Sequence, residues 1–529
     1  MPFKLFSTPY FPSRRPLWFI LTLVGALTSA SQTGYSTEYA SAATTATRVS
    51  SPQLLTPLQV QAKSQSKSQA NAVTLQQLQP ATFESMTRQL APRHSQLAIG
   101  VVDLHSGQAL YQHNIDTLMQ PASTQKLLTA VAATAELGNA FRFTTALYGQ
   151  SVNQQGELNG DLYIRFSGDP RLTRRDLRHL IQQLFEHGVH TIKGNVYLVG
   201  QAEERLRAPG WVWDDLGICY AAPVSQFVID RNCIFGELTP QLGSNQSQLN
   251  FPKDLPVTLT TSAEFDKNNQ RALCDLALQR LPNNHFHLSG CFAGNQALKL
   301  AIAINEPALY AQQVVTQLFA ESNVRLSGNV LLSNQINKQA KLLAQHHSAA
   351  LPELLSTMLL TSDNLIADSL FKALGANVYQ QPGTFLSGAK AMKQVLTDEG
   401  IDLDHGQIID GSGLSRYNLL SARQLTQVLM LIYQDERFRA LMMHLPLAGR
   451  SGSLRYKSGY HQAPLQDKVR AKTGSMQGVD NLAGYLGLNA EDNLLFVILE
   501  NGIGPQQKQP QPIPFSAQWL TAILKESSQ

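Results

Sequence analysis

The sequence predicts a mixed α/β (α+β) protein in which a domain built from both ends of the chain is interrupted by inserted material. Three observations predict this. Strand-like apolar runs and amphipathic helices recur near both ends, from about Leu78 and again up to Leu524. The 529 residues amount to three or four domains at about 150 residues each. Finally, two of the segments with chemical character are separated by 239 residues, from Ser123 to Ser362, which is too long for a loop inside one compact domain.

Composition sets the outer limits. Apolar residues make up 43% of the chain, enough for a substantial interior. The 42 Lys and Arg against 38 Asp and Glu leave a charge of +4, with no basic block of the kind a nucleic-acid binder carries. At the N-terminus, Lys4, Arg14 and Arg15 precede the apolar run Pro16–Leu27, and small residues follow around Ala30 and Ala42. This is the order of a secretory signal, with cleavage expected near residue 30 or 42, and an uncleaved anchor is its rival. No cysteine precedes Cys219, so a lipid-modified cysteine at the cleavage site is excluded. Residues 43–77, rich in Ser, Thr, Gln and Ala, read as a disordered leader. The protein is thus expected to be exported, to the periplasm or another extracytoplasmic space, either soluble or loosely associated with the membrane.

Ordered elements follow in turn. Ser95–Val102 and Ala109–Tyr111, joined through Ser106-Gly107, read as a β-hairpin. Pro121 opens a helix over 121–137. In the middle of the chain, Gly194-Asn195-Val196 and Gly328-Asn329-Val330 each head an apolar run. Gln183-Leu184-Phe185 and Gln317-Leu318-Phe319 precede them at the same offset of 134 residues. Two readings stand: an internal duplication, or two ordinary αβ units. Leu351–Leu374 is helical in pattern, Lys472–Leu488 and Asn493–Glu500 read as two buried strands, and Gln518–Leu524 as a closing helix. The four cysteines form two close pairs, and export permits disulfides. Of the three connectivities, Cys219–Cys233 with Cys274–Cys291 closes the shortest loops. Neither pair has the spacing of a metal site, and no metal or other cofactor is expected.

The chemistry lies in three short motifs: Ser123-Thr124-Gln125-Lys126 (SxxK), Ser362-Asp363-Asn364 (SxN) and Lys472-Thr473-Gly474 (KTG). Singly they are cheap. SxxK also occurs at Ser64, Ser369 and Ser387, and SxN at Ser151 and Ser327. Only Ser123 opens a strongly apolar helix that places its lysine one turn away; Ser64 lies in the low-complexity leader, and Ser369 follows SxN instead of preceding it. A serine hydroxyl is a weak nucleophile until a base adjoins it, and Lys126 serves once burial beside other cations favours its neutral form. Ser362 can pass a proton to a departing amine, and Asn364 offers a donor and an acceptor to a peptide group. Lys472 supplies fixed positive charge for a substrate carboxylate. Thr473 and Ser475 add hydroxyls, and Gly474 admits a close approach of backbone to substrate. The backbone N–H groups of Ser123 and Ser475 are the expected oxyanion donors. Taken alone, each residue has an ordinary structural reading as a helix cap, a solvated lysine or a strand residue. The ordered set indicates acyl transfer through a serine ester.

With Pro209-Gly210-Trp211, Asp230-Arg231-Asn232-Cys233, the run Asp410–Arg416, Leu445–Gly449 and Gly474–Gly484 added, the chain resembles the class C low-molecular-mass penicillin-binding proteins, the D-alanyl-D-alanine carboxypeptidase/endopeptidase family. The resemblance implies a penicillin-binding transpeptidase-like domain, an antiparallel sheet flanked by helices, at 78–146 and 340–527. A second domain would be inserted at 147–240 and 295–339, with a third nested in it at 241–294. It implies hydrolysis of D-Ala–D-Ala bonds and of D-alanyl–meso-diaminopimelyl cross-links. Peptidoglycan stem peptides would be the substrates and β-lactams the acylating inhibitors of Ser123. Asp215, Tyr220, Arg416 and Gln477 match the positions that grip the zwitterionic end of diaminopimelate, although Tyr220 stands where relatives often have phenylalanine. A serine β-lactamase and a non-catalytic wall-binding scaffold are the alternatives. Neither the oligomeric state nor any protein partner is fixed by the sequence.

Overall fold

A computed structural model describes residues 75–527 apart from 202–204, 242–243, 267–272, 294–296, 488–492 and 505–512. The predicted signal and most of the predicted leader lie outside the described residues. Among the described residues, no helix is long and apolar enough to cross a membrane.

The two ends of the chain share one sheet. Its five strands run in the order Val469–Met476, Val479–Leu486, Leu494–Asn501, Gln96–Asp103 and Ala109–His113, and every neighbouring pair is antiparallel. The alternation that defines a strand sorts its side chains onto two buried faces. Leu97, Ile99, Leu494, Phe496 and Ile498 join a cluster with Phe83 and Trp519, from the helices Pro80–Leu90 and Phe515–Glu526. Ala98, Leu495, Val497 and Leu499 join a larger cluster with the helices Lys126–Leu137, Leu351–Thr361, Asn364–Tyr379 and Ala422–Gln434. Burial on both sides explains the unbroken apolar run in Leu494–Leu499.

The inserted part carries a second five-stranded sheet, ordered Val330–Ser333, Val196–Val199, Leu162–Arg165, Thr144–Gly149 and Lys341–His347. The sheet therefore includes residues 144–146 and 341–347, which the expected boundaries at 146 and 340 assigned to the terminal domain. A β-bulge between Leu342 and Ala344 breaks the alternation of the last strand and hides it in the sequence. The chain enters and leaves at Phe143 and Ser348, where the Ser348 N–H donates to the Phe143 carbonyl (2.9 Å) and the Phe143 N–H to Ser348 Oγ (3.0 Å). Further strands, Cys233–Pro240 to Leu298–Ala303, extend the insertion. Their Leu259, Phe286 and Leu288 share one core cluster with Leu147 and Leu198 of the second sheet. Both short-loop disulfides are present, Cys219–Cys233 and Cys274–Cys291.

Three local expectations need correction. The helical pattern of 351–374 is two helices, broken because Ser362 takes a left-handed conformation (φ 60°). Residues 472–488 are not one strand: a hairpin turn at Gln477-Gly478 (φ 79° at the glycine) separates two, and the first begins at Val469. The helix expected from Pro121 starts as a 3₁₀ turn over Ala122–Gln125, and the α-helix begins only at Lys126.

The matching αβ units lie side by side. Val330–Ser333 pairs in parallel with Val196–Val199, residue for residue at the 134-residue offset, and Arg325 pairs with Thr191 at the same offset. The glycines allow this approach. A Cβ on Gly328 would overlap the Gly194 carbonyl and fall 2.6 Å from Asn195 Oδ1. Gly328→Ala is therefore expected to cost about 1–3 kcal/mol, the usual cost of overpacking. Gly504→Ala, with nothing within 4 Å of the added methyl, should leave the thermal melting curve in place. Equal melting temperatures for the two variants would contradict the packing.

Candidate active site

The site forms where the first sheet meets the helix Lys126–Leu137. Strand Val469–Met476 runs against the turn Ala122–Gln125, and Gly474 makes this possible. A Cβ there would fall 2.6 Å from the Pro121 carbonyl oxygen and 3.1 Å from the Thr124 nitrogen. The neighbour that requires glycine is thus the turn bearing Ser123, not only a substrate as the sequence suggested. Ala122 itself has φ 47°, an uncommon conformation for a residue with a side chain, costing roughly 1–3 kcal/mol. Asn481 pins the turn by donating to the carbonyls of Gln120 (2.8 Å) and Pro121 (2.9 Å). On the far side a Cβ on Gly413 (φ 82°) would overlap the Ala122 carbonyl, so the loop Asp410–Arg416 also closes tightly on it.

Lys126 is the hub. Its side chain is fully buried and its Nζ donates to Ser123 Oγ (2.9 Å), Asn364 Oδ1 (2.7 Å) and the Ser412 carbonyl (2.6 Å). Burial pushes the lysine below its ordinary value of 10.5, while Asp368, Asp410 and Asp363 pull it back up. Those acids are built in. Asp368 accepts from the Gly411 (2.7 Å) and Ser412 (2.9 Å) N–H groups, and burial together with Asp410 raises its carboxyl. Asp410 accepts from Trp211 Nε1 (2.8 Å), Asn418 Nδ2 (2.8 Å) and two backbone N–H groups.

Lys472 forms the second pair. Its Nζ donates to Ser362 Oγ (2.9 Å) and the Thr473 carbonyl (3.0 Å). It too is fully buried, and burial, then Lys126 and Lys457, push its ammonium well below 10.5. Burial, and then the neighbouring lysines, thus disfavour the charged form at a position where the sequence led to the expectation of a fixed positive charge. Thr473 Oγ1 lies 2.7 Å from Ser453 Oγ, and Ser475 Oγ donates to Asp480 (3.3 Å), which Lys457 also holds (2.6 Å).

The residues expected around a diaminopimelate end also assemble. Tyr220 OH donates to Asp215, and burial lowers the Arg416 guanidinium while Asp215 and Tyr220 partly offset this. Burial raises the Asp215 carboxyl. Arg416 Nη1 donates to the Gln477 carbonyl (2.7 Å), so Gln477 meets it through backbone while its own side chain is exposed. Asn364 Nδ2 joins this group to the lysines by donating to the Tyr220 carbonyl (2.9 Å). Of the rival SxxK serines, Ser387 sits in the capping box of another helix, Ser369 is buried beside a small cavity, and Ser64 lies outside the described residues.

Comparison with known proteins identifies the family. A family model described as the D-Ala-D-Ala carboxypeptidase 3 (S13) family matches residues 80–522. The chain belongs to that family of serine peptidases. It is 35% identical over 417 residues to the D-alanyl-D-alanine carboxypeptidase DacB of Haemophilus influenzae, covering 78% of this chain and 87% of that one. It is 28% identical to a D-alanyl-D-alanine carboxypeptidase of Actinomadura sp. strain R39, over 80% of each. The crystal structure of penicillin binding protein 4 from Haemophilus influenzae superposes with a TM-score of 0.79 at 33% identity, over 84% of this chain and 99% of that one. The same protein has been solved complexed with a novel β-lactam (TM-score 0.76). Membership makes this chain an enzyme of the D-Ala-D-Ala carboxypeptidase class with a penicillin-binding fold.

Sequence reasoning missed Asp368, Ser453, Lys457 and Asp480. Asp368 alone left a signal, one helical turn after Asn364 on the same face. The packing at Gly474 leads to a direct expectation. Gly474→Ala should push the strand off the serine turn and slow covalent labelling by a fluorescent penicillin by about 100-fold, the effect of a shift near 1 Å. A wild-type labelling rate would show that the strand tolerates the methyl.

Proposed function

We propose that the chain is an exported serine DD-peptidase working through an acyl-enzyme on Ser123, and that it cleaves both terminal D-Ala–D-Ala bonds and D-alanyl–meso-diaminopimelyl cross-links of peptidoglycan. The observation that carries this reading is the contact of Lys126 Nζ with Ser123 Oγ at 2.9 Å, made by an amine shielded from water. Neutral Lys126 takes the Ser123 proton as Oγ bonds to the carbonyl carbon of the penultimate D-alanine. The N–H groups of Ser123 and Ser475, brought together by the contact at Gly474, hold the developing oxyanion. The C–N bond then breaks as the proton held by Lys126 is passed, by way of Lys472 and Ser362, to the leaving amine. Neutral again, Lys126 takes a proton from the water that attacks the ester carbonyl and returns it to Ser123 Oγ as the ester C–O bond breaks. A substrate carboxylate beside Lys472 offsets the neighbouring cations and favours that lysine's charged form.

Two experiments bear on this. After penicillin exposure, intact-mass analysis should find one adduct mapping to Ser123. Ser123→Ala should take none, and Lys126→Ala should label at least about 1,000-fold more slowly, the scale of lost base catalysis. Because the base must be neutral, the wild-type acylation rate should rise with pH, with its midpoint below the ordinary lysine value of 10.5. An adduct on Ser369 or Ser387 would end the assignment.

For the cross-link activity, Asp215 would hold the ammonium of the diaminopimelate D-centre and Arg416 its carboxylate. Asp215→Asn is expected to slow release of monomers from cross-linked dimers by about 10–100-fold, the ~1.5–3 kcal/mol of a hydrogen bond to a charged group. Release of D-alanine from a peptide lacking diaminopimelate should fall far less. Equal losses on both substrates would remove Asp215 from the side-chain pocket.

A further inference from the structure

Asn364 is a short amide on which much depends, and both of its ends are fixed from different parts of the chain. Its Oδ1 accepts from Lys126 (2.7 Å) and its Nδ2 donates to the carbonyl of Tyr220 in the insertion (2.9 Å). The residue before it is fixed in the same way. Asp363, almost fully buried, caps its own helix through Oδ1 (Ile366 N–H, 3.0 Å) and meets Arg231 Nη2 through Oδ2 (2.7 Å). The two segments that reach the tripeptide are themselves joined, because Tyr220 adjoins Cys219 and Arg231 lies two residues before its disulfide partner Cys233.

The turn displaying Arg231 is unusual. Asp230, Arg231 and Asn232 have φ of 49°, 63° and 50°, a run of left-handed residues with no glycine among them. The surrounding structure enforces it. Asn232 donates to the Pro223 carbonyl (3.2 Å), its own carbonyl accepts from Ile304 (2.9 Å), and Arg174 holds Asp230 (2.7 Å). Strain maintained by this many contacts points to a task for the residue it presents.

We infer that Arg231, with the Cys219–Cys233 disulfide behind it, is a clamp that positions Asn364 from outside the cleft. Arg231 neutralises the buried Asp363 carboxylate, and the disulfide holds the Tyr220 carbonyl at the spacing that orients the amide. Arg231 is a positioning residue: it meets Asp363, and it influences Lys126 and substrate only through its neighbour. Removing it leaves a buried charge without its partner and frees the start of the helix. The inference rests on the reading of the site as an acylating serine centre.

The test is the first-order rate constant of acylation by saturating fluorescent penicillin, measured on the full chain. That constant does not depend on how much of a preparation is folded, so a poor yield does not mask the answer. Arg231→Ala should lower it by about tenfold, as should replacing both Cys219 and Cys233 by alanine. Arg231→Lys, which keeps a cation for the single contact with Asp363, should recover most of the rate. Asp363→Asn keeps the helix cap but loses the charge, and combining it with Arg231→Ala should be no slower than the slower single variant. Wild-type rates in Arg231→Ala and in the cysteine double variant, or losses that multiply in the combined variant, overturn the clamp while leaving the serine chemistry standing. A wild-type chain that takes no label overturns the functional reading and the clamp with it.

Discussion

One constraint organises the molecule: an amine must be kept dry and yet fully hydrogen-bonded. An ammonium without partners in a protein interior is very costly, and the group loses its proton instead. Lys126 sits between those limits. Its three acceptors come from Ser123 in the preceding turn, Asn364 at the start of the helix Asn364–Tyr379 and Ser412 of a later loop. These segments are up to 286 residues away from it, so no local structure could assemble the set. Burial favours the neutral amine, and three buried aspartates nearby pull the other way.

That arrangement needs backbone to come closer than side chains permit. Gly474 and Gly413 approach the Pro121–Thr124 turn from opposite sides, and neither could carry a Cβ without displacing a carbonyl. The left-handed Ala122 between them follows from this squeeze, since the surrounding contacts leave the turn little room to relax. Asn481 completes the frame. It spans from the turn to the neighbouring strand, where its Oδ1 accepts from the Glu500 N–H (2.9 Å). Sheet, turn and loop are thus locked together before any substrate arrives, and this rigidity lets a hydroxyl and an amine be held at hydrogen-bond distance.

The legible part of this site was the part with chemical grammar. Serine before lysine at helical spacing, then SxN, then KTG, points to the five side chains that the fold brings together. The illegible part was backbone geometry. The break at Ser362 escaped notice because Leu351–Thr361 and Asn364–Tyr379 are both apolar at helical spacing, and only the left-handed serine between them ends the pattern. The strand Lys341–His347 escaped because a bulge disrupts its alternation. Lys472 shows a different limit of the sequence. Its residue type suggests a standing charge, but charge depends on surroundings that only folding reveals, and here they are a dry pocket and two further lysines. The 134-residue repeat was visible as spelling, but its meaning, two units that pair strand to strand, depended on which edge each strand exposes.

The insertion is more than an ornament on a peptidase domain. It leaves and rejoins the chain at a hydrogen-bonded crossing of Phe143 and Ser348, 205 residues apart in sequence. An element attached only there would be free to pivot, since a crossing of two strands is a hinge. What prevents pivoting is contact near the serine: Pro209 and Gly210 carbonyls accept from Ser415 Oγ (2.6 Å) and the Arg416 N–H (2.9 Å), Lys372 reaches the Val224 carbonyl (2.7 Å), and Arg231 and Tyr220 meet the SxN tripeptide. The insertion is therefore fastened at its root and at the cleft. Tyr220, whose carbonyl takes the Asn364 amide, and Asp215, which its hydroxyl meets, are therefore held to the SxN tripeptide by the same contacts that fix the insertion.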